Sequence, residues 1–225
     1  LPRLSEIDVR NCRGETNKGN EQLAAKNTLR VLKIGGPKID GVIAASTNPR
    51  YIGLPPSLFE RTISPFIFVT ENTTISKGIH ILSDIGRAHP SPPGNGSLYE
   101  ERDSRLEPDT FRHELLLVVA EADGMVLFSG CGHSGILNMI DAARRHLPHT
   151  PIKAIVGGLH LIPMADDKAG PAHADYVETL AQALVETEVG VIYTGHCTGD
   201  AALKILKRHL NNRVAGFHCG ARFEM

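Results

Sequence analysis

Three apolar runs in this sequence each end in glycine and a histidine, and this recurring arrangement constrains the fold more than any other feature. The runs cover residues 125–128, 154–156 and 189–193, and the histidines that follow them are His133, His160 and His196. A short apolar run bounded by glycines is typical of a buried β-strand, and the ends of such strands are the usual location of sites in α/β proteins. We therefore expect three strands to place the three imidazoles along one edge of a sheet.

The segments around these runs predict a layered α/β domain. An Asp123-Gly124 pair between the apolar runs 115–120 and 125–128 is the strongest short-range signal for a β-hairpin. Apolar spacings predict helices at residues 22–32, 135–147, 172–187 and 199–210. Further strands are predicted at residues 7–9, 41–45, 66–69, 79–82, 152–156, 190–193 and 214–217. Alternating strands and helices are the pattern of a layered α/β fold.

The length and charge of the chain limit the class of protein. A chain of 225 residues suits one large domain, so we assign residues 1–225 to it, with residues 50–108 as an insertion or loop region over the active edge. The formal net charge of −1 argues against a nucleic-acid-binding surface. No apolar run approaches the roughly 18 residues of a membrane span. Because Leu1 opens neither a translation start nor a signal peptide, we expect the natural protein to begin earlier.

The cysteine usage indicates a compartment. The four cysteines are Cys12, Cys131, Cys197 and Cys219, and they form neither a CxxC pair nor a dense framework. This argues against disulfides and favours a reducing cytoplasm. Cys131 and Cys197 lie close to histidines in the sequence, and a cysteine nucleophile is one interpretation of that. It is weaker than the metal interpretation, since sequence-adjacent cysteine and histidine rarely meet in catalytic geometry.

The three histidines predict a metal site. A single histidine at the end of a strand is more often a hydrogen-bonded structural residue. Three in the same context favour ligation, because neutral imidazole is the commonest metal ligand. We therefore predict that His133, His160 and His196 are metal ligands.

The segment after His196 is a candidate anion site. Thr198 and Gly199 precede a predicted helix, where backbone N–H groups and the helix dipole favour a negative charge. We predict that these two residues contact an anionic cofactor or substrate group. An ordinary helix N-cap explains the segment equally well.

The same blocks resemble the metallo-β-lactamase superfamily, and more narrowly the branch known as dihydropterin-methyl (ribofuranosyl)aminobenzene phosphate synthases. The resemblance covers residues 109–225 and is carried by SGCGHSGI (129–136), VGGLHL (156–161), GHCTG (195–199) and His113-Glu114. It implies a four-layer αββα sandwich with one or two metal ions at the edge between two sheets. In that pattern His133 and His196 correspond to metal ligands, and His160 to a ligand or a substrate contact.

One signature of the superfamily, His-x-His-x-Asp-His at a strand-to-helix turn, is absent. The flanking pattern places residues 11–16 at its position, where Asn11, Arg13 and Thr16 replace histidines and Glu15 replaces the aspartate. Asn and Thr are poor zinc ligands, and Arg13 adds a fixed positive charge.

Three expectations follow from this departure. We expect an atypical, reduced site with one divalent ion rather than two, zinc in the first place and iron or manganese as alternatives. Glu15 is the candidate catalytic general base. Alternatively, Arg13 replaces the charge of the ion and the pocket binds an anion without metal. The chain also lacks the strands that the resemblance implies before residue 5, through truncation or as an unusual variant.

Two functions are consistent with these features. The first is a metal-dependent enzyme with a small anionic or phosphate-containing substrate, either a hydrolase or a synthase that condenses a pterin pyrophosphate with an aromatic amine. The second is a catalytically degenerate member that binds a ligand or a protein partner. The missing signature favours the second, whereas the three retained histidines favour the first. The sequence predicts no nucleic-acid or membrane partner and does not indicate the oligomeric state.

Overall fold

The computed structural model describes residues 6–8, 32–35, 41–44, 50–52, 66–102, 105–162 and 171–224. The β-strands in these ranges are β1 (Glu6–Asp8), β2 (Leu32–Gly35), β3 (Gly41–Ala44), β4 (Arg50–Tyr51), β5 (Phe66–Val69), β6 (Thr73–Ser76), β7 (Ile79–Leu82), β8 (Leu98–Arg102), β9 (Arg105–Pro108), β10 (Leu116–Glu121), β11 (Gly124–Phe128), β12 (Ile152–Gly157), β13 (Val191–Thr194), β14 (Val214–Gly216) and β15 (Arg222–Glu224). The α-helices are α1 (Ile136–His146), α2 (Pro171–Val185) and α3 (Asp200–Leu210). Short 3-10 helices cover Pro93–Ser97, His196–Thr198 and Asn211–Arg213.

A seven-stranded sheet in the order β14-β13-β12-β11-β10-β7-β6 organises the described residues. Strands β11 to β14 run parallel to one another, and β10 pairs antiparallel with both β11 and β7. Helices α1, α2 and α3 lie in the three connections between the parallel strands, as such crossovers require. The carboxyl ends of β11, β12 and β13 therefore meet at one edge of the sheet.

The helices cover one face of this sheet. Leu127, Ile155 and Ile192 from its strands share a buried apolar cluster with Met139 of α1 and Leu184 of α2. Burying a side chain of this size contributes about 1.5–3 kcal/mol. The cluster fixes the strands from which the functional turns extend.

The opposite face of the sheet is also covered. Val126, Ala154 and Val156 are buried there in a second cluster. The ring of Phe223 in β15 lies 3.9 Å from the ring of Tyr193 in β13, centroid to centroid. The central strands are thus apolar on both sides, which explains why they appear in the sequence as continuous apolar runs.

Smaller sheets accompany the large one. Strands β1 and β15 pair antiparallel, and β2 and β5 pair in parallel. A further sheet has the order β4-β3-β8-β9. Strand β1 therefore joins the start of the described chain to its end.

The second half of the chain follows the sequence predictions closely. Each strand and helix predicted after residue 109 forms, with small shifts at its ends. In the hairpin, Glu121 pairs with Gly124, so the two loop residues are Ala122 and Asp123. The turn therefore lies one residue before the predicted Asp123-Gly124 pair, and Gly124 belongs to the strand.

The first half is predicted less completely. The strands expected at residues 7–9, 41–45, 66–69 and 79–82 are confirmed as β1, β3, β5 and β7. The helix predicted over residues 22–32 is wrong at its end, because Leu32 begins β2 and pairs with Phe66; residues 22–31 lie outside the described residues. Pairing between distant strands outweighed local helical spacing here. Strands β4 to β9 lie within residues 50–108, whose assignment as an insertion stays a prediction.

Candidate functional site

Three turns meet at the carboxyl edge of the large sheet. We call them the His133 turn (residues 129–135), the His160 turn (158–162) and the His196 turn (195–199). The N–H of Gly158 donates to the carbonyl of Gly130 at 2.8 Å, and the N–H of Ile162 donates to the carbonyl of Cys197 at 2.9 Å. The turns therefore fix one another, and the strands that carry them set their positions.

Two glycines permit this close approach. A Cβ added to Gly158 would lie 2.5 Å from Sγ of Cys197 and 3.1 Å from the carbonyl oxygen of Gly130. Gly132 has φ of 78°, and a Cβ there would lie 2.4 Å from the carbonyl oxygen of Gly158. A side chain at either position would push the turns apart, so these glycines are needed by the site's geometry.

The His133 turn is held by a carboxylate. Glu114 is buried, and its Oε1 accepts the N–H of His133 at 2.8 Å while its Oε2 accepts the N–H of Ser134 at 2.5 Å. Hydrogen bonds to a carboxylate are among the stronger ones in proteins. Glu114 therefore holds the His133 turn in position through contacts within the chain itself.

The imidazole of His133 is also oriented by its neighbours. Phe111 stacks on it with ring centroids 4.3 Å apart and planes 5° from parallel. Nδ1 of His133 lies 2.9 Å from Oδ1 of Asn95, whose Nδ2 donates to the carbonyl of His133. An amide oxygen only accepts, so Nδ1 is the donor, and in the neutral ring the lone pair lies on Nε2. A second partner that fixes the tautomer in this way is typical of metal-binding histidines.

His160 is buried beside His133. Its side chain belongs to a residue that is 7% exposed, and its ring centroid lies 4.0 Å from that of His133. Burial lowers the pKa of His160 below its ordinary value, which favours the neutral ring. Nε2 lies beside Gly94, yet neither ring nitrogen has a partner of hydrogen-bonding geometry among the described residues. A buried imidazole left in this state is costly unless a ligand or an ion satisfies it.

His196 is exposed and lies among sulfur atoms. Its ring nitrogen and the sulfurs of Cys131 and Cys197 form a group whose donor atoms all lie within 4.8 Å of one another. The Cys197 thiol donates to the carbonyl of Cys131 at 3.3 Å. Within the described ranges of the chain, this is the one compact group of three or more side chains suited to a metal ion.

The two thiols alter each other's acidity. A hydrogen bond with the Cys131 side chain lowers the pKa of Cys197 to about 7, although burial opposes this change. The same hydrogen bond raises the pKa of Cys131 to about 12. In the protein without an ion, this hydrogen bond therefore favours the thiolate form of Cys197 and the protonated form of Cys131.

The structure therefore places the predicted histidines in two neighbouring groups, which Cys131 connects because its side chain interacts with those of both His133 and Cys197. His133 and His160 lie ring against ring, and His196 lies with Cys131 and Cys197. Sequence reasoning did not assign the cysteines a ligand role. Their positions beside the candidate histidines were the available signal, but the contact across the sheet edge has no local pattern.

Of the other predicted site residues, the structure describes Thr198 and Gly199 but not Glu15. Thr198 is fully buried; its hydroxyl accepts the N–H of Leu159 at 3.1 Å and lies 2.5 Å from the hydroxyl of Thr194. Gly199 has φ of 73° and precedes α3, whose first residue, Asp200, is acidic. The Thr198 side chain is engaged inside the fold, so an anion there has only backbone donors. The anion site stays a prediction, and Glu15 lies outside the described residues.

A cavity of about 870 Å³ lies next to the His133 turn. Its wall includes Phe111 and Ser134 together with Arg87, Arg112, Glu71 and Asp84. Phe111 stacks on the ring of His133, and the N–H of Ser134 donates to Glu114, which also accepts the N–H of His133. The volume lies within the range of small-molecule sites, about 300–1,000 Å³.

As for membranes, none of the helices in the described ranges has the length and apolar character needed to cross one.

Comparisons with known proteins bear on the fold and the family. No family model matches the chain. The chain is 27% identical over 123 residues to the 7,8-dihydropterin-6-methyl-4-(β-D-ribofuranosyl)-aminobenzene-5′-phosphate synthase of Methanocaldococcus jannaschii, covering 55% of this chain and 39% of that protein. It is 29% identical over 119 residues to an uncharacterized protein of the same organism, covering 53% of this chain and 40% of that protein. The chain thus spans well under half the length of these curated relatives.

A solved structure resembles the fold over most of the chain. It is the crystal structure of Tm1679, a metal-dependent hydrolase of the β-lactamase superfamily, with a TM-score of 0.69 and 27% identity. The match covers 87% of this chain and 72% of that one. The predicted resemblance and the predicted fold class are confirmed: the chain has an α/β fold of the metallo-β-lactamase type, with a distant relative named as a pterin-related synthase.

Proposed function

We propose that the protein is a metal-dependent enzyme with a metallo-β-lactamase fold that acts on a small phosphate-containing substrate. One observation carries the proposal: three glycine-containing turns bring His133, His160 and His196 to the carboxyl edge of one sheet, where the imidazole of His160 is buried without a partner among the described residues. The similarity to a metal-dependent hydrolase supports it.

The residues at this edge suit a divalent ion. In the neutral ring of His133 the lone pair lies on Nε2, because Nδ1 donates to Asn95, and burial favours the neutral form of His160 by lowering its pKa. Imidazole nitrogens suit zinc, iron and manganese. We propose a single ion, zinc in the first place, with His133, His160 and His196 among its ligands. When bound, such an ion polarises a phosphoryl or carbonyl oxygen or lowers the pKa of a bound water.

The residues around the histidines have positioning roles in this proposal. Glu114 holds the His133 turn through two backbone N–H groups, and Phe111 and Asn95 fix the plane and tautomer of the ring. A ligand oriented before binding loses less entropy when it binds. Glu15 is our proposed general base, and Thr198 and Gly199 are proposed to lie near an anionic group through their backbone.

The adjoining cavity is the proposed substrate site. Arg87 and Arg112 lie in its wall, and Ser134 joins it to the His133 turn. Guanidinium groups match the geometry of phosphate oxygens. Because a distant relative is named as a pterin and ribofuranosyl-aminobenzene-phosphate synthase, we propose a phosphorylated substrate that carries a ring of this kind. Hydrolysis of a phosphate ester and a synthase-type condensation with loss of pyrophosphate are the two reaction classes to be distinguished.

Elemental analysis and product analysis test this proposal together. We expect about one zinc, iron or manganese per chain, lost in a His133→Ala/His196→Ala double variant and retained when the exposed His218 is changed to Ala. The loaded protein is then offered phosphate esters, and separately a pterin pyrophosphate with a ribofuranosyl-aminobenzene phosphate. Release of phosphate indicates a hydrolase, and release of pyrophosphate with a joined product indicates a synthase. Neither product, from protein that holds no ion, would contradict the enzyme and leave a binding role.

A further inference from the structure

The two cysteines at the sheet edge are not used by the function proposed above. We propose that Cys131 and Cys197 bind the same metal ion as His196, so that two sulfur donors join the nitrogen donors and the site takes a thiophilic divalent ion such as zinc. The inference rests on the proposed function, since His196 belongs to both donor sets. It changes the chemical class of the site from one with imidazole donors alone to a mixed imidazole and thiolate site.

The fold brings these side chains together from distant parts of the chain. Cys131 lies in the turn after β11, whereas His196 and Cys197 lie in the 3-10 helix after β13. Strand β12 separates these two strands in the sheet. The side chains therefore meet only if the end of β12 leaves room between them.

Gly158 provides that room. It follows directly after β12, and a Cβ there would lie 2.5 Å from Sγ of Cys197 and 3.2 Å from Cα of Cys131. The sulfur of Cys197 thus occupies the volume that a side chain at this position would take. Any other residue at position 158 would separate the two cysteines.

The distances suit a single ion. In a tetrahedral zinc site with sulfur ligands at about 2.3 Å and nitrogen ligands at about 2.0 Å, neighbouring donor atoms lie about 3.3–3.8 Å apart. The three donors here lie within 4.8 Å of one another. Small rotations of the side chains are therefore enough to bring all three to one ion.

Exposure fits an open coordination position. Cys197 is buried and Cys131 is half-buried, so the sulfurs are shielded, whereas His196 is exposed to solvent. Catalytic zinc sites keep one position open to water or substrate, and the exposed side of this site can provide it. His196 also adopts φ of 51°, which a non-glycine residue seldom does and which is enriched at functional sites.

Cobalt substitution of the full chain tests the ligand class directly. Thiolate bound to Co²⁺ gives an intense charge-transfer band in the near ultraviolet, which an imidazole site lacks. We expect this band in the wild-type protein, a band of about half the intensity in Cys131→Ser and in Cys197→Ser, and its loss in the Cys131→Ser/Cys197→Ser double variant. Cys219→Ser, which changes an exposed cysteine outside the turns, is the matched control and should keep the band. Zinc affinity should fall by at least about 100-fold in the two site variants.

The outcomes separate this inference from the proposed function. Cobalt bound with visible d–d absorption but no charge-transfer band would overturn the thiolate site and leave the metal enzyme standing. No cobalt or zinc bound at all would overturn both. A band that keeps its full intensity in both single variants, or that persists in the double variant, would also overturn the inference.

A second measurement avoids dependence on the folding of the variants. In wild-type protein, zinc should slow alkylation of Cys131 and Cys197 by iodoacetamide, measured on proteolytic peptides, without slowing that of Cys219. If zinc leaves the alkylation rates of Cys131 and Cys197 unchanged, as it does that of Cys219, the result would contradict the thiolate site.

Discussion

The His133 turn follows β11 and the His196 turn follows β13 of the same sheet, yet they hold their histidines in different ways. Phe111 stacks on the ring of His133, the carboxylate of Glu114 accepts its backbone N–H, and the amide oxygen of Asn95 accepts a hydrogen bond from its Nδ1. His196 is exposed and has sulfur atoms as its near donors. One imidazole is positioned by the protein in advance, and the other shares its surroundings with softer ligands. A metal site built on both would combine a rigid half, the His133 turn, with an adaptable half, the His196 turn.

The largest expected effect comes from removing the support of the rigid half. Glu114→Ala leaves the part-buried N–H groups of His133 and Ser134 without acceptors, and each loss of this kind costs about 1–3 kcal/mol when the group is shielded from water. We expect the free energy of unfolding in urea to fall by about 3 kcal/mol, with loss of bound metal. Glu186→Ala, at an exposed carboxylate, is the control. Equal stability of the two variants would show that Glu114 does not support the turn.

The junction between the two halves should respond next. Gly158→Ala places a Cβ 2.5 Å from Sγ of Cys197, and such overpacking typically costs about 1–3 kcal/mol. We expect lower stability and a weaker cobalt–thiolate band. Gly130→Ala is a matched control in the His133 turn, where an added Cβ has nothing within 4 Å. If Gly158→Ala retains the full band, the close approach of the turns is not what assembles the thiolates.

A smaller change should separate the halves. Asn95→Ala removes the acceptor on Nδ1 of His133 and the donor to its carbonyl. Removing a partner of this kind typically weakens metal binding by about 10-fold. We expect that loss of zinc affinity, while the cobalt–thiolate band stays, because the hydrogen bonds of Asn95 go to His133 itself and not to a cysteine. The exposed Asn212→Ala serves as the reference. Loss of the band in Asn95→Ala would mean that the two halves are not independent.

The smallest effect concerns a histidine pair outside these turns. Nε2 of His146 lies 3.2 Å from Nδ1 of His80, and the pKa of His80 is lowered from 6.5, first by burial and then by His146. A base with a lowered pKa binds protons more readily when unfolded, so its stabilisation is complete above about pH 6.5 and is lost as the pH falls below that value.

Thermal unfolding measured across that pH range checks this prediction. We expect a small decrease in melting temperature below pH 6.5 that is reduced in His80→Gln. An unchanged pH dependence in His80→Gln would indicate that the decrease comes from other groups.

The sequence predicted the elements of the second half because each is encoded locally. Apolar runs bounded by glycine became β11, β12 and β13, and helical spacing became α1, α2 and α3. The placement of His133, His160 and His196 at one edge followed from parallel strands. The partners of His133 could not be predicted in the same way, since Asn95 is 38 residues distant and Glu114 is 19 residues distant in the sequence.

The thiol group shows the same limit more sharply. Cys131 and Cys197 are 66 residues apart, and their approach depends on the missing side chain of Gly158 in a third segment. A sequence records the glycine but not the volume that it leaves. Leu32 shows the opposite case. Its local spacing predicted a helix, but Leu32 lies in a strand because it pairs with the distant Phe66.

Metal content per chain tests the central claim most directly. Protein purified without chelator, and again after reconstitution with zinc, is measured by elemental analysis beside the His133→Ala/His196→Ala variant. The account predicts about one ion per wild-type chain and none in the variant. Wild-type protein that holds no ion even after reconstitution, or a variant that holds as much as wild type, would contradict it.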